Sequence, residues 1–123
     1  MRSFLLATVM ALSLPGLAWS GGFKISGLEI VPKAGGGTCM EAAYDSLDAL
    51  RNVMNIDRIS RGNSAVAAIA LGASSRDAVI LCDAVSGGQR GILIVHFLTS
   101  DEVPAVDRII AEVKKYWGYY LNE

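Results

Sequence analysis

Cys39, Cys82 and His96 are the side chains of this 123-residue chain with the most chemistry to offer, and each is scarce: there are two cysteines and one histidine. Two thiols allow one pairing. A bridge closing a loop of about 40 residues contributes about 4 kcal/mol in the loop-entropy account of disulfides. The competing chemistry is a reactive thiol, since Cys39 stands where a helix is expected to begin and a helix N-terminus lowers a thiol pKa. Redox pairs usually come as Cys-x-x-Cys, and that spacing is absent. The expectation is a structural Cys39–Cys82 disulfide.

His96 falls inside the most apolar strand of the chain, on the side of Ile92, Ile94 and Leu98. A lone histidine can act as a general base or a metal ligand, but a buried, hydrogen-bonded histidine is the commoner case. Spacing singles out no Ser-His-Asp set, so no catalytic residue is assigned. His96 with Met40 and Met54 would make a soft, copper-like set that nothing local supports, so neither a metal nor another cofactor is expected. Arg61 and Arg90 both fall in turns. In a simple up-and-down meander those turns share one end of the sheet, where two guanidinium groups could hold a carboxylate or phosphate; Arg76 would lie at the other end. A pocket using His96, Arg61 and Arg90 is therefore the ligand-binding alternative. Gly35-Gly36-Gly37-Thr38 ahead of a helix has the makings of an anion cradle, but it lacks the spacing of a P-loop and reads equally well as a linker with an N-cap.

These residues need an address and a scaffold. Arg2, the apolar run Phe4 to Leu14, the helix breakers Pro15 and Gly16, and small residues at Ala18 and Ser20 have the layout of a secretory signal peptide over residues 1–20, cut ahead of Gly21. The run is shorter than the roughly 18 apolar residues a spanning helix needs, so no membrane span is expected after cleavage. Export to the periplasm or beyond would place both cysteines in an oxidising compartment. Residues 21–123 are then a single small domain. With 11 basic and 12 acidic residues the chain has a net charge of −1, and loss of Arg2 makes it more negative, which argues against nucleic acid as a partner.

Phe23 to Val31 alternates as a strand and ends at Pro32. Thr38 with Glu41 makes a capping-box signature, followed by Met40, Ala43, Tyr44, Leu47, Leu50 and Met54 at helical spacing. Four short strands are expected next: Ile56 to Ser60, Ser64 to Leu71, Ala78 to Ala84 and Gly91 to Thr99. The second is the least determined, because its alanines would equally suit a helix closed by Gly72. Ser86-Gly87-Gly88 supplies a hairpin loop. Ser100 reads as the N-cap of a second helix whose stripe is Val106, Ile109, Ile110, Val113 and Trp117. The expected fold is α+β: a four- to five-stranded antiparallel meander with two helices on one face.

The run Thr38-Cys39-Met40-Glu41-Ala42-Ala43, with Ala78-Val79-Ile80-Leu81-Cys82 and the strand and helix after it, resembles small exported bacterial two-cysteine proteins of unknown function. The resemblance implies the fold and the disulfide, and no catalytic residue, cofactor or substrate. One oddity remains. An antiparallel sheet with a wet face should alternate apolar with polar residues, yet Val79, Leu81, Leu93, Val95 and Phe97 are apolar alongside Ile80 and Cys82. Reading those five as the face opposite the helices predicts either a cover from the first strand, the loops or the C-terminal Tyr119-Tyr120-Leu121, or an interface with a second copy, a partner or an apolar ligand. The function expected is that of an exported binding domain without catalytic activity, acting on a second copy of itself or another exported protein; a small exported hydrolase or redox enzyme is the second alternative after the ligand-binding one.

Overall fold

The computed structural model describes residues 22–33, 37–72 and 76–121. The expected signal segment, the cut ahead of Gly21, and Gly35 and Gly36 of the glycine run lie outside them. Five strands and two helices follow in the order β1 (Gly22–Pro32), α1 (Cys39–Ala49), β2 (Arg58–Arg61), β3 (Ala65–Leu71), β4 (Arg76–Val85), β5 (Gly88–Phe97) and α2 (Val103–Leu121). All pairings are antiparallel, in the order β1-β5-β4-β3-β2. Consecutive strands β2 to β5 form the meander. The first strand returns to pair with the last, which places β5 and β4 centrally and leaves β1 as an edge.

Local chemistry explains the ends of the elements. The Thr38 side chain accepts the Glu41 N–H at 3.1 Å while the Glu41 carboxylate accepts the Thr38 N–H at 3.1 Å, so α1 starts as its capping box predicts. The second helix starts differently from expectation. Thr99, not Ser100, is the cap, and its box with Glu102 closes a 3-10 turn, Ser100–Glu102, that leads into α2. Thr99 leads because Glu102 lies three residues beyond it, the spacing a capping box requires. Glu102 also accepts the Leu98 and Thr99 N–H groups at 3.2 Å and pairs with Arg76 at 3.2 Å, fixing the start of β4 against this turn.

The ambiguous segment is a strand. Val66 and Ala68 point into the core, and Ala65, Ala67 and Ile69 point away. Its alanines let α1 lie close above it, with Ala42, Ala43, Ala68 and Ala78 all fully buried. The strand ends in a register shift at which Ala70 adopts φ 58° and gives its N–H to the Asp77 carboxylate at 3.2 Å. That left-handed residue is unfavourable for alanine by roughly 1 kcal/mol, and it returns Leu71 to the core.

Both helices lie on one face of the sheet, α1 over β3 and α2 over β1. Between them and the sheet sit Leu47, Leu50, Val106, Ile109, Val113 and Trp117, meeting Ile80, Leu93 and Val95 from the central strands. Cys39 and Cys82 are bonded, with Cα atoms 5.9 Å apart, so the bridge ties the first turn of α1 to β4. Beside it the Cys39 N–H donates to the Gln89 side chain at 3.3 Å. At the far edge, the Trp117 indole N–H donates to the Glu29 carbonyl at 2.9 Å, and Lys24 pairs with Asp107 at 2.8 Å. These contacts pin β1 to α2.

Register corrects the expected assignment of faces. Ile80 stands opposite Leu93, and Ala78 opposite Val95. Leu93 and Val95 are fully buried and Phe97 is 9% exposed, so all three belong to the helix-covered face. Val79 and Leu81 stand opposite Ile94 and Ile92 and face away from the helices. The five residues expected to form one patch are divided between two faces. The reason is the hairpin: its two-residue loop, Ser86-Gly87, pairs Val85 with Gly88, so side chains match across the strands when their residue numbers sum to the same odd value. Even-numbered β4 residues therefore share a face with odd-numbered β5 residues.

Candidate functional site: the open sheet face

Correct pairing places four ranks of side chains on the face away from the helices. Across the strands these are Phe23, His96 and Asp77; then Ile25, Ile94, Val79, Ala67 and Ser60; then Gly27, Ile92, Leu81 and Ala65; and last Ile30, Arg90 and Asp83. The two middle ranks are apolar from β1 to β3. Charge is confined to the ends, with His96 and Asp77 at one end and Arg90 and Asp83 at the other. The flanking strand β2 contributes Arg58 and Ser60.

Among the described residues no helix or strand packs on this face. The first strand does not fold over it, because β1 spends its backbone groups on pairing with β5. The C-terminal tyrosines do not cover it either, because α2 runs unbroken to Leu121 on the other side of the sheet. Phe23 and Ile25 are therefore 66% and 68% exposed, and Leu81 is 37% exposed. Val79, Ile92 and Ile94 are half-buried by neighbours in the sheet alone. A contiguous apolar surface edged by charge is the composition of an interface, with an apolar centre and a polar rim.

The residues proposed for ligand binding are not brought together. His96 is on the open face, half-buried, with its ring 5.1 Å from that of Phe23. It is not a histidine of the helix-covered core. Met40 and Met54 pack on the helix side of the sheet, so the soft metal set is divided by the sheet itself. Arg61 and Arg90 do share an end of the sheet. However, Arg61 stands opposite Val66 in the parity of the covered face, and Arg90 is on the open face three strands away. Strand spacing of about 4.8 Å separates them by about 14 Å. His96 lies six residues from Arg90 along β5, roughly 20 Å at strand rise. A single small anion cannot bridge these groups.

A cavity of about 480 Å³ lies between the β4–β5 hairpin and the start of α1, lined by Val31, Lys33, Thr38, Val85 and Gln89 among others. A second, of about 210 Å³, lies beside Trp117 and the bend of β1 at Gly27 to Glu29. Neither includes His96. Among the described residues no three His, Cys, Asp or Glu side chains gather as a metal site. No described helix is long and apolar enough to cross a membrane.

Pattern alone does not assemble the open face, because Ile92 and Ile94 fall on the parity expected to meet the helices and the first strand carries no sign of which face it serves. The signal that finds them is the hairpin register. No protein family, curated protein or solved structure matches the chain.

Proposed function

We propose that this protein is an exported binding domain that acts by protein–protein association through its open sheet face, and not by catalysis. The observation that carries the proposal is the uncovered apolar surface of Phe23, Ile25, Val79, Leu81, Ile92 and Ile94. Removing a large apolar side chain from water is worth about 1.5–3 kcal/mol when burial is complete. A domain of this size has a margin of only about 5–15 kcal/mol. An exposed surface of that extent is therefore a store of association energy.

Export is supported by two independent features. The first 20 residues have the layout of a secretory signal, and the Cys39–Cys82 disulfide persists most readily in an oxidising compartment. N-terminal sequencing of protein from the exported fraction should begin at Gly21; a start at Met1 would refute export by cleavage.

The binding surface is tested by photo-crosslinking in the native host, with a crosslinking amino acid at Ile25, at Val79 or, as a control on the solvent side of α2, at Arg108. Adducts at the first two positions and none at the third are expected. An equal yield at all three, or adducts at none, would refute a binding role for this face.

A further inference from the structure

We infer that the occupant of the open face is a second copy of this chain, packed sheet against sheet about a two-fold axis that runs parallel to the strands between β4 and β5. The inference rests on the binding role proposed above and names its partner. Charge and side-chain size on the face are arranged to match a second copy. Both ends of β4 present an acid, Asp77 and Asp83, and both ends of β5 present a base or histidine, His96 and Arg90. A two-fold axis between these strands lays β5 of one copy over β4 of the other at the same height. Arg90 of each copy then faces Asp83 of the other, and His96 faces Asp77. Asp83 and Arg90 are also neighbours across their own ladder, yet among the described residues neither closes an ion pair within the chain. Their charges are free to be matched from outside.

Size is complementary about the same axis. It lays β1 over β3, so Ile25, one of the most exposed large side chains, descends on the small Ala67, and Phe23 meets Ile69 at the end of that strand. Strand β2 falls beyond the overlap, and it is there that the face turns polar, at Arg58 and Ser60. Apolar composition thus extends over the four strands the partner would cover and stops at the fifth. The contact is isologous and closes at two copies, so it buries the face without leading to open assembly. Aligned sheets of a sandwich pack about 10 Å apart with strands within about 30° of one another, so each end rank stays at its counterpart's end of the sheet.

The test is a charge swap on the mature protein with its disulfide intact. Wild-type protein should sediment as a dimer at micromolar concentration. Arg90→Asp places four acids at that rim and Asp83→Arg places four bases there, so each variant alone should weaken dimerisation by on the order of tenfold or more. Mixed together, the two variants should form a heterodimer, because every rim contact is again opposite in sign. Circular dichroism of each variant checks the fold, and Ile25→Lys, at the exposed edge, gives a second disruption that does not depend on the rim.

A dimer insensitive to both charge variants, or a mixture that fails to associate, would overturn this packing. A folded wild-type monomer at tens of micromolar would overturn the second copy as occupant. In that case crosslinks from Ile25 and Val79 to a different protein would leave the binding role standing, whereas their absence would remove both readings.

Discussion

The indole of Trp117 lies directly over Gly91, so close that a Cβ on residue 91 would sit 2.6 Å from the ring carbon Cη2 and 3.1 Å from Leu28 Cδ1. This contact is where α2 meets the sheet. The absence of a side chain at residue 91 of β5 lets Trp117, the largest fully buried side chain among the described residues, settle between β5 and β1, with its N–H on the Glu29 carbonyl. Gly91→Ala should therefore displace the indole. Overpacking of this kind costs about 1–3 kcal/mol, and denaturant unfolding should show the loss, with a change in the near-ultraviolet signal of Trp117.

The two faces of β5 should respond oppositely to the same change. Leu93→Asp buries a carboxylate at a fully enclosed position with no partner and should unfold the domain. Ile94→Asp, one residue along, projects from the open face beside Val79 and Ile25. It should leave the fold intact by circular dichroism and weaken association in sedimentation. If Ile94→Asp unfolds the protein and Leu93→Asp does not, the face assignment is reversed.

The disulfide should account for much of the stability. Replacing Cys39 and Cys82 together by alanine opens a loop with a sequence separation of 43 and should cost about 4 kcal/mol in urea unfolding. Mass spectrometry of unreduced protein after alkylation should show no modified cysteine.

Tyr120 should carry an alkaline signature. Its hydroxyl is 3.2 Å from the Glu41 carboxylate, and partial burial, reinforced by that negative charge, holds its pKa above the ordinary value of 10.0. The folded state thus binds the phenolic proton more tightly than the unfolded chain does. The stability this confers is complete below pH 10 and is lost as pH rises through the higher folded value. In Tyr120→Phe the melting temperature should fall less steeply above pH 10 than in the wild type, and the tyrosinate absorbance titration should lose the component that belongs to Tyr120.

Sequence by itself determined most of the elements and their kind; the alanine-rich segment from Ser64 to Leu71 stayed open between strand and helix until its pairing settled it. The capping box at Thr38 and Glu41, the stripe from Val106 to Trp117, the hairpin glycines and the two cysteines all act locally or by elimination, and local chemistry is readable in a linear string. The α+β class and the Cys39–Cys82 bridge follow from them. Tertiary structure alone decided which apolar residues of the strands are core. Period-two alternation marks the two faces of each strand but does not say which face of one strand matches which of the next, since that depends on whether the hairpin turns on two residues or three. The pairing of Val85 with Gly88 settles it, sending Leu93, Val95 and Phe97 under the helices and leaving Ile92, Ile94 and His96 outside. The place of β1 was equally nonlocal. Whether a first strand covers a face or extends an edge depends on which free backbone groups it meets, and β5 offered an unpaired edge. That pairing is why Phe23 and Ile25, apolar residues in an apolar strand, ended on the surface, and why Arg61 and Arg90, close in a flat diagram of the meander, stand on opposite faces of the sheet.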